Sequence, residues 1–289
     1  MSESVRHAAF DTAHPVVPAV YLVLTLGMTM FCLQPVLILL SLAGAFLYGA
    51  RTVGWRRCAG SLRWQLPVVL LIAGLNPLFS ASGSTELFRL GGCSVYAESL
   101  CFGAAMGGLF IASVLWFQAG SRMLSFDRVM ALLGNAMPTT ALMVSMCMRL
   151  IPRFVRQGRT ILAVQRASQP REMTASERLR GRLRASSVLM GWTMEDSLET
   201  ADAMRARGWE ARVRRSTYTR FRFTARDGLS LAALLVAGTV CCLLGYAATA
   251  QFSFYPRMSQ LLAWWGYAPI ALWMLLPTLL LVRAERRFS

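Results

Sequence analysis

The side chains able to do chemistry in this chain are mostly arginines. All 30 basic residues are arginine, against 14 acids and two histidines. A guanidinium is a planar fork of donors that pairs with a carboxylate or phosphate through two parallel hydrogen bonds. Arg207 stands out by its neighbours, Ala206 and Gly208, at the end of the stretch Thr193–Trp209. These small flanks leave its guanidinium unshielded, so that it can enter a groove on another protein and meet a carboxylate there. The same arginine also fits the last turn of a helix, where a cation complements the dipole. The spacing allows both roles.

Other reactive constellations are missing. His7 and His14 have no ligand-spaced partner. The seven cysteines (Cys32, Cys58, Cys93, Cys101, Cys147, Cys241 and Cys242) form no C-x-x-C pair and lie mostly in apolar runs. They read as packed thiols rather than disulfides or a metal site. No nucleophile–base spacing and no cofactor motif occurs. A chain without lysine cannot form the Gly-x-x-x-x-Gly-Lys-Ser/Thr phosphate loop. These absences argue against a metal site and a cofactor.

Arg207 needs a helix to hold it. Thr193 with Asp196 resembles a capping box, with Asp in place of Glu or Gln. Glu195, Asp196 and Glu199 suit the positive end of a helix dipole. Met194, Leu198, Ala201 and Met204 recur at steps of three and four, and Gly208 fits the left-handed closing position. The pattern predicts a helix of about four turns from Thr193. A second helix is expected from about Arg153 to Ser168, stopping at Gln169-Pro170. Phe154, Val155, Ile161 and Leu162 make its apolar stripe. Arg153, Arg156, Arg159 and Arg166 line the rest, as a solvated face near anionic head groups.

The elements around these helices are membrane-like. Hydrophobic residues make up 55% of the chain and mean hydropathy is +0.47. Charged residues, at 15%, fall below the roughly 25% of a soluble domain. Val16–Leu33, Val36–Ala50, Leu66–Phe79, Leu100–Ala119, Leu229–Ala248 and Leu261–Val282 read as about six spans of an all-α, polytopic bundle. The Asn76-Pro77 pair predicts a broken or kinked outer end for the third. The N-terminus lacks a strongly basic region and carries no convincing cleavable signal.

Arginines at 51, 56, 57 and 63, at 122 and 128, and at 283, 286 and 287 mark cytoplasmic ends, with both termini inside. From Arg149 to Arg226 there are roughly 18 arginines against roughly seven acids, which makes that block cytoplasmic too. Residues Ser80–Ala97, rich in Ser and Gly, suit the outer face, and Arg257 sits alone in a short outer loop. Val129–Ile151 is interrupted by Gly134, Asn135 and Pro138. Crossing would put the arginine block outside, so it reads as two short helices in or along the inner membrane surface. The expected divisions are 1–128, membrane helices; 129–226, inner-surface and cytoplasmic coupling helices; and 227–289, membrane helices.

Four motifs in order resemble the transmembrane T component of energy-coupling factor (ECF) transporters, a family that includes the permease subunit of cobalt and nickel uptake systems. They are Asn76-Pro77-Leu78-Phe79 with Gly83-Ser-Thr-Glu-Leu-Phe88, then Glu98-Ser-Leu-Cys-Phe-Gly103, then Arg149-Leu-Ile-Pro152, and finally Ala203-Met-Arg-Ala-Arg-Gly208. The last is similar to the second of the family's two Ala-Arg-Gly coupling motifs. Where the first is expected, this chain reads Val164-Gln-Arg-Ala-Ser-Gln169. Ser168 replaces the arginine and Gln169 the glycine, and Arg166 is the nearest cation.

The resemblance implies a non-catalytic scaffold in the cell's inner or plasma membrane. Two ABC-type ATPase subunits would bind the tips Ala206–Arg207–Gly208 and Arg166–Ala167–Ser168. An S component, a small membrane protein that binds a vitamin or metal ion, would dock on the coupling helices. The cargo is set by that other polypeptide. Two other readings remain open. One is a membrane-anchored basic module that binds anionic lipid or nucleic acid; the ordered motifs and the acidic start of the Thr193 stretch are unexplained by it. The other is an integral membrane enzyme, against which near-absence of intramembrane acids counts, Glu98 being at a span's edge.

Overall fold

The structure is a computed structural model that describes residues 14–79, 85–90, 93–168, 174–209, 223–255, 258–259 and 264–288. The described helices are α1 (Val16–Phe31), α2 (Pro35–Thr52), α3 (Trp55–Phe79), α4 (Ala97–Met123), α5 (Phe126–Ala136), α6 (Pro138–Ala167), α7 (Ala175–Ala206), α8 (Ala225–Ala250) and α9 (Tyr267–Phe288). One short antiparallel pair, β1 (Glu86–Leu90) and β2 (Cys93–Tyr96), lies in the α3–α4 connection. The architecture is an all-α membrane helix bundle with this short strand pair inserted. The chain divides into two units, Met1–Val129 with Phe221–Ser289, and Met130–Arg220.

In the first unit α2, α3, α4, α8 and α9 are long and apolar enough to cross a bilayer, which makes the chain a multi-pass membrane protein. Helix α1 is shorter than the expected Val16–Leu33. At 16 residues it covers about 24 Å, because the chain turns over Cys32–Gln34 before Pro35 opens α2. Pro35 has no N–H to leave unpaired and its φ is already helical, so the first position of a helix suits it.

Helix α4 packs against α1, α2 and α3, while α9 packs against α2 and α8, and α1 against α8. Lipid chains are as apolar as leucine, so close approach and polar bonds hold such helices together. Glycines supply the close approach. A Cβ on Gly44 of α2 would lie 2.7 Å from the Met274 carbonyl oxygen of α9, and one on Gly103 of α4 would lie 2.9 Å from Ala73 Cα of α3.

The polar bonds form a chain through the buried centre. Tyr21 Oη donates to the Trp273 carbonyl (3.0 Å), and Trp273 Nε1 donates to Thr25 Oγ1 (3.0 Å), which in turn donates to the Tyr21 carbonyl (2.8 Å). Thr29 Oγ1 donates to the Thr25 carbonyl (2.8 Å) and lies 2.9 Å from Ser41 Oγ, which accepts from Trp116 Nε1 at 2.9 Å. Helices α1, α2, α4 and α9 are thereby tied through groups that would otherwise be orphaned in an apolar interior.

The two ends of this bundle differ in charge. At one end the His14 N–H donates to Asp227 Oδ1 (3.2 Å), Arg51 approaches Glu285 (3.9 Å), and Gln118 Nε2 donates to Ser61 Oγ (2.7 Å). Arg51, Arg56, Arg57, Arg122, Arg226, Arg283 and Arg286 belong to helix segments at this end. The opposite end has Asn76 Nδ2 donating to the Ser99 carbonyl (3.3 Å), Gln34 donating to the Tyr267 hydroxyl, and Phe102 against Phe254 (5.2 Å between centroids). Among the described side chains that end carries no arginine. Arg257 lies outside the described residues.

Several boundaries differ from expectation. Helix α3 starts at Trp55, so Arg56, Arg57 and Arg63 are helical and the loop shrinks to Val53–Gly54, where Gly54 takes φ +102°. It also runs through Asn76-Pro77 to Phe79, although Pro77 has no N–H for the Ala73 carbonyl.

In the second unit, the expected interruption falls at Met137, between α5 and α6. The first of the two expected short helices is α5, while the second is not short. Helix α6 has 30 residues, passes through Pro152 and absorbs the helix expected from Arg153. Helix α7 has 32 residues, so Thr193–Trp209 is its final third rather than a separate helix.

Candidate functional site

Thr174 and Glu177 start α7. The Glu177 carboxylate accepts from the Thr174 backbone N–H (2.8 Å) and hydroxyl (2.8 Å). These two bonds, the backbone one first, hold its carboxyl below the usual glutamate range. The sequence Thr-x-x-Glu at 174–177 is a fuller capping signature than Thr193/Asp196. Thr193 is no cap. Its hydroxyl donates to the Leu189 carbonyl one turn back (2.5 Å) inside the helix.

Asp196 serves a different partner. Arg153 Nη1 of α6 donates to Asp196 Oδ2 at 2.7 Å, and the guanidinium lies 6.0 Å over the Trp192 ring. A Cβ on Gly158 would meet Leu189 at 3.4 Å, and one on Gly181 would meet Gln165 at 3.5 Å. Residue numbers on α6 rise as those on α7 fall, so the two helices form an antiparallel hairpin. The Arg153–Asp196–Trp192 clasp had no sequence signal, because its partners are 43 positions apart and each looks locally like an ordinary charge on a helix.

The end of α7 is closed as expected. Gly208 has φ +72°. Its N–H donates to the Arg205 carbonyl (2.9 Å), and the Trp209 N–H reaches the Met204 carbonyl (3.1 Å). This bond pair is the Schellman closure, which requires a residue tolerant of the left-handed region. Ala206 is the last helical residue, Arg207 is the cap residue at φ −79°, and both are exposed with Gly208. The backbone closure leaves the Arg207 guanidinium outside the helix-end bonding.

The second candidate tip ends α6. Ala167 is its last residue and Ser168 follows; both are exposed, and Ser168 Oγ donates to the Val164 carbonyl (2.8 Å). Arg166 is in the helix, its side chain lying outside the described atoms, as does Gln169. Because the hairpin is antiparallel, Ala167–Ser168 sit beside the start of α7 and Arg207 at its far end. A helix of this length separates the two tips by on the order of 40 Å. The six candidate residues therefore make two distant contact points and no single pocket.

The first two motif pieces do meet. Asn76 bonds the Ser99 carbonyl, while Glu98 is buried and accepts from Thr85 Oγ1 (2.7 Å) and the Thr85 N–H (3.4 Å). Glu98 stands in the first turn of α4, where the helix dipole favours its charge. Gly83 and Ser84 lie outside the described residues. Arg149 and Pro152 lie in mid-helix, both exposed. Among the described residues no group of three His, Cys, Asp or Glu is placed to hold a metal ion. No protein-family model matches the chain, and no curated protein matches its sequence, so the candidate contacts rest on these residues and their geometry.

Proposed function

We propose that this protein is the transmembrane coupling subunit of an ECF-type ABC importer. It transmits the motion of two ATPase subunits to a substrate-binding S component that carries a vitamin or metal ion, and it hydrolyses nothing itself. The observation that carries this reading is the end of α7: an exposed arginine between Ala206 and Gly208, set on a Schellman-closed tip. A guanidinium presented in that way suits a carboxylate in a groove of a partner. The distance between the two tips favours two separate partners over one. The lost first motif makes the contact asymmetric, with Arg207 the stronger of the two. Arginines mark one end of the first unit, and the second unit carries an arginine-rich stretch of its own. By the positive-inside rule that end, the hairpin and both termini belong in the cytoplasm.

The test is purification of the full chain from its own cell in mild detergent, with mass spectrometry of what accompanies it. Two ATPases and a small membrane protein are expected. Removing one partner of a buried charge-assisted pair costs roughly 2 to 5 kcal/mol, so Arg207→Ala should release the ATPases or uncouple hydrolysis from uptake. Unchanged assembly and transport in Arg207→Ala would defeat the assignment.

A further inference from the structure

The two halves of α7 carry opposite charge. Arg178, Arg180, Arg182 and Arg184 stand in its first half against Glu177 alone, and Glu177 is already engaged by Thr174. Glu195, Asp196, Glu199 and Asp202 stand in its second half. There the hairpin places Arg153 on Asp196, with Arg149, Arg156 and Arg159 on the same stretch of α6, so that half is close to balanced. The four arginines of the first half are exposed, and among the described residues none is in an ion pair.

The apolar side chains of α7 also divide by face. Ala185, which is buried, shares one face with Gly181 and Leu189, the positions that meet α6. Leu179, Leu183, Met190 and Met194 follow at steps of four, seven and four, which keeps them on one line along a helix. That line is on the side away from α6, and these residues are 60%, 61%, 70% and 65% exposed. Within the first half the line is bracketed: Arg178 and Arg182 run along one side of Leu179 and Leu183, and Arg180 and Arg184 along the other. Arginine stems of that length cover neighbouring apolar surface while the heads reach outward.

The geometry points to the first half of α7, about residues 175–190, as a helix that lies in the headgroup layer of an anionic membrane leaflet. Leu179 and Leu183 enter the acyl boundary and the four guanidinium groups pair with lipid phosphates on either side. An apolar stripe bracketed by arginines is the arrangement that binds in the interface plane, and basic residues near an anionic surface are each attracted to it. The charge reversal selects this occupant. A surface of uniform negative charge attracts the arginine-rich first half and has little hold on the second half, whose acids face Arg149, Arg153, Arg156 and Arg159. The spans of the same chain hold the helix near a bilayer, which keeps the local lipid concentration high. The inference is independent of the coupling reading, since no step of it uses Arg207.

The test uses the full chain, one copy per nanodisc, in phosphatidylcholine with and without phosphatidylglycerol. Amide hydrogen exchange is followed for peptides covering residues 175–190 and, as a control, α8. With phosphatidylglycerol, exchange in 175–190 should slow by on the order of tenfold, with α8 unchanged. The difference should vanish at high salt, in the variant Arg178→Gln/Arg180→Gln/Arg182→Gln/Arg184→Gln, and in Leu179→Ser/Leu183→Ser. Equal exchange in the two lipids overturns the proposal. So does protection that survives the four Arg→Gln changes, which would mean a protein covers the stripe. Protection conferred by a DNA oligomer but not by phosphatidylglycerol overturns it as well.

Discussion

Gly208 holds a conformation that most residues resist. At φ +72° an added Cβ costs about 1 kcal/mol, so Gly208→Val should open the last turn of α7. Faster amide exchange at Arg207–Trp209, with the rest of α7 unchanged, would report it. If Arg207 makes the contact proposed for it, Gly208→Val should also weaken ATPase retention, although the arginine is intact. Glu177 makes a pH-dependent contribution at the other end of the helix. Its folded pKa is depressed. Its stabilisation is therefore present above the unfolded glutamate pKa and is lost as pH falls through the lower folded value. The protection factor at residues 175–178, exchange measured against its intrinsic rate at each pH, should fall over that acidic window in the wild type, and Glu177→Gln should show the low value already at neutral pH.

The helices are joined by a few specific contacts, and these predict graded costs. Ser41 accepts the Trp116 N–H and meets Thr29, so Ser41→Ala orphans an indole in an apolar interior. Interhelical bonds of this kind are worth about 0.6 to 2 kcal/mol in membranes, and detergent thermal melts should fall accordingly. Gly44→Leu is the harsher change. It drives side-chain volume into the Met274 backbone and should cost about 1–3 kcal/mol or prevent α2–α9 packing. Arg153→Ala should matter less, since the Arg153–Asp196 pair is 48% and 22% exposed and such pairs give roughly 0.2–1 kcal/mol. Its readout is the hairpin itself: faster exchange around Trp192 on α7 and Gly158 on α6, with the first unit unaffected.

For the molecule as a whole, the concentration of arginine at one end of the first unit predicts orientation. A green fluorescent protein fused after Ser289 should fluoresce, and one inserted near Thr85 should not. The opposite pattern would place α7 outside, and with it both proposed contacts. Much of this organisation was legible beforehand because transfer of a side chain between water and lipid depends on that side chain alone. Runs of apolar residues mark six spans, of which five form helices long enough to cross while α1 is shorter, arginines mark one end of each of the five, and Gly208 marks its own closure. Boundaries were less legible. Pro77 looks like a break, but hydrogen bonds of neighbouring turns carry α3 past it, and α6 runs through Pro152 where the sequence suggests two elements. The sequence places the start of the Arg207 helix at Thr193, because Asp196 suits a cap. It begins at Thr174, and Asp196 instead faces Arg153 across the hairpin. Which residues cross the bilayer and where α7 ends are local properties, set by hydropathy and by one glycine. Which charge meets Asp196, and which side of α7 remains open beside Leu179 and Leu183, depends on how α6 folds back along α7. That pairing joins residues far apart in the chain, so only the folded structure decides it.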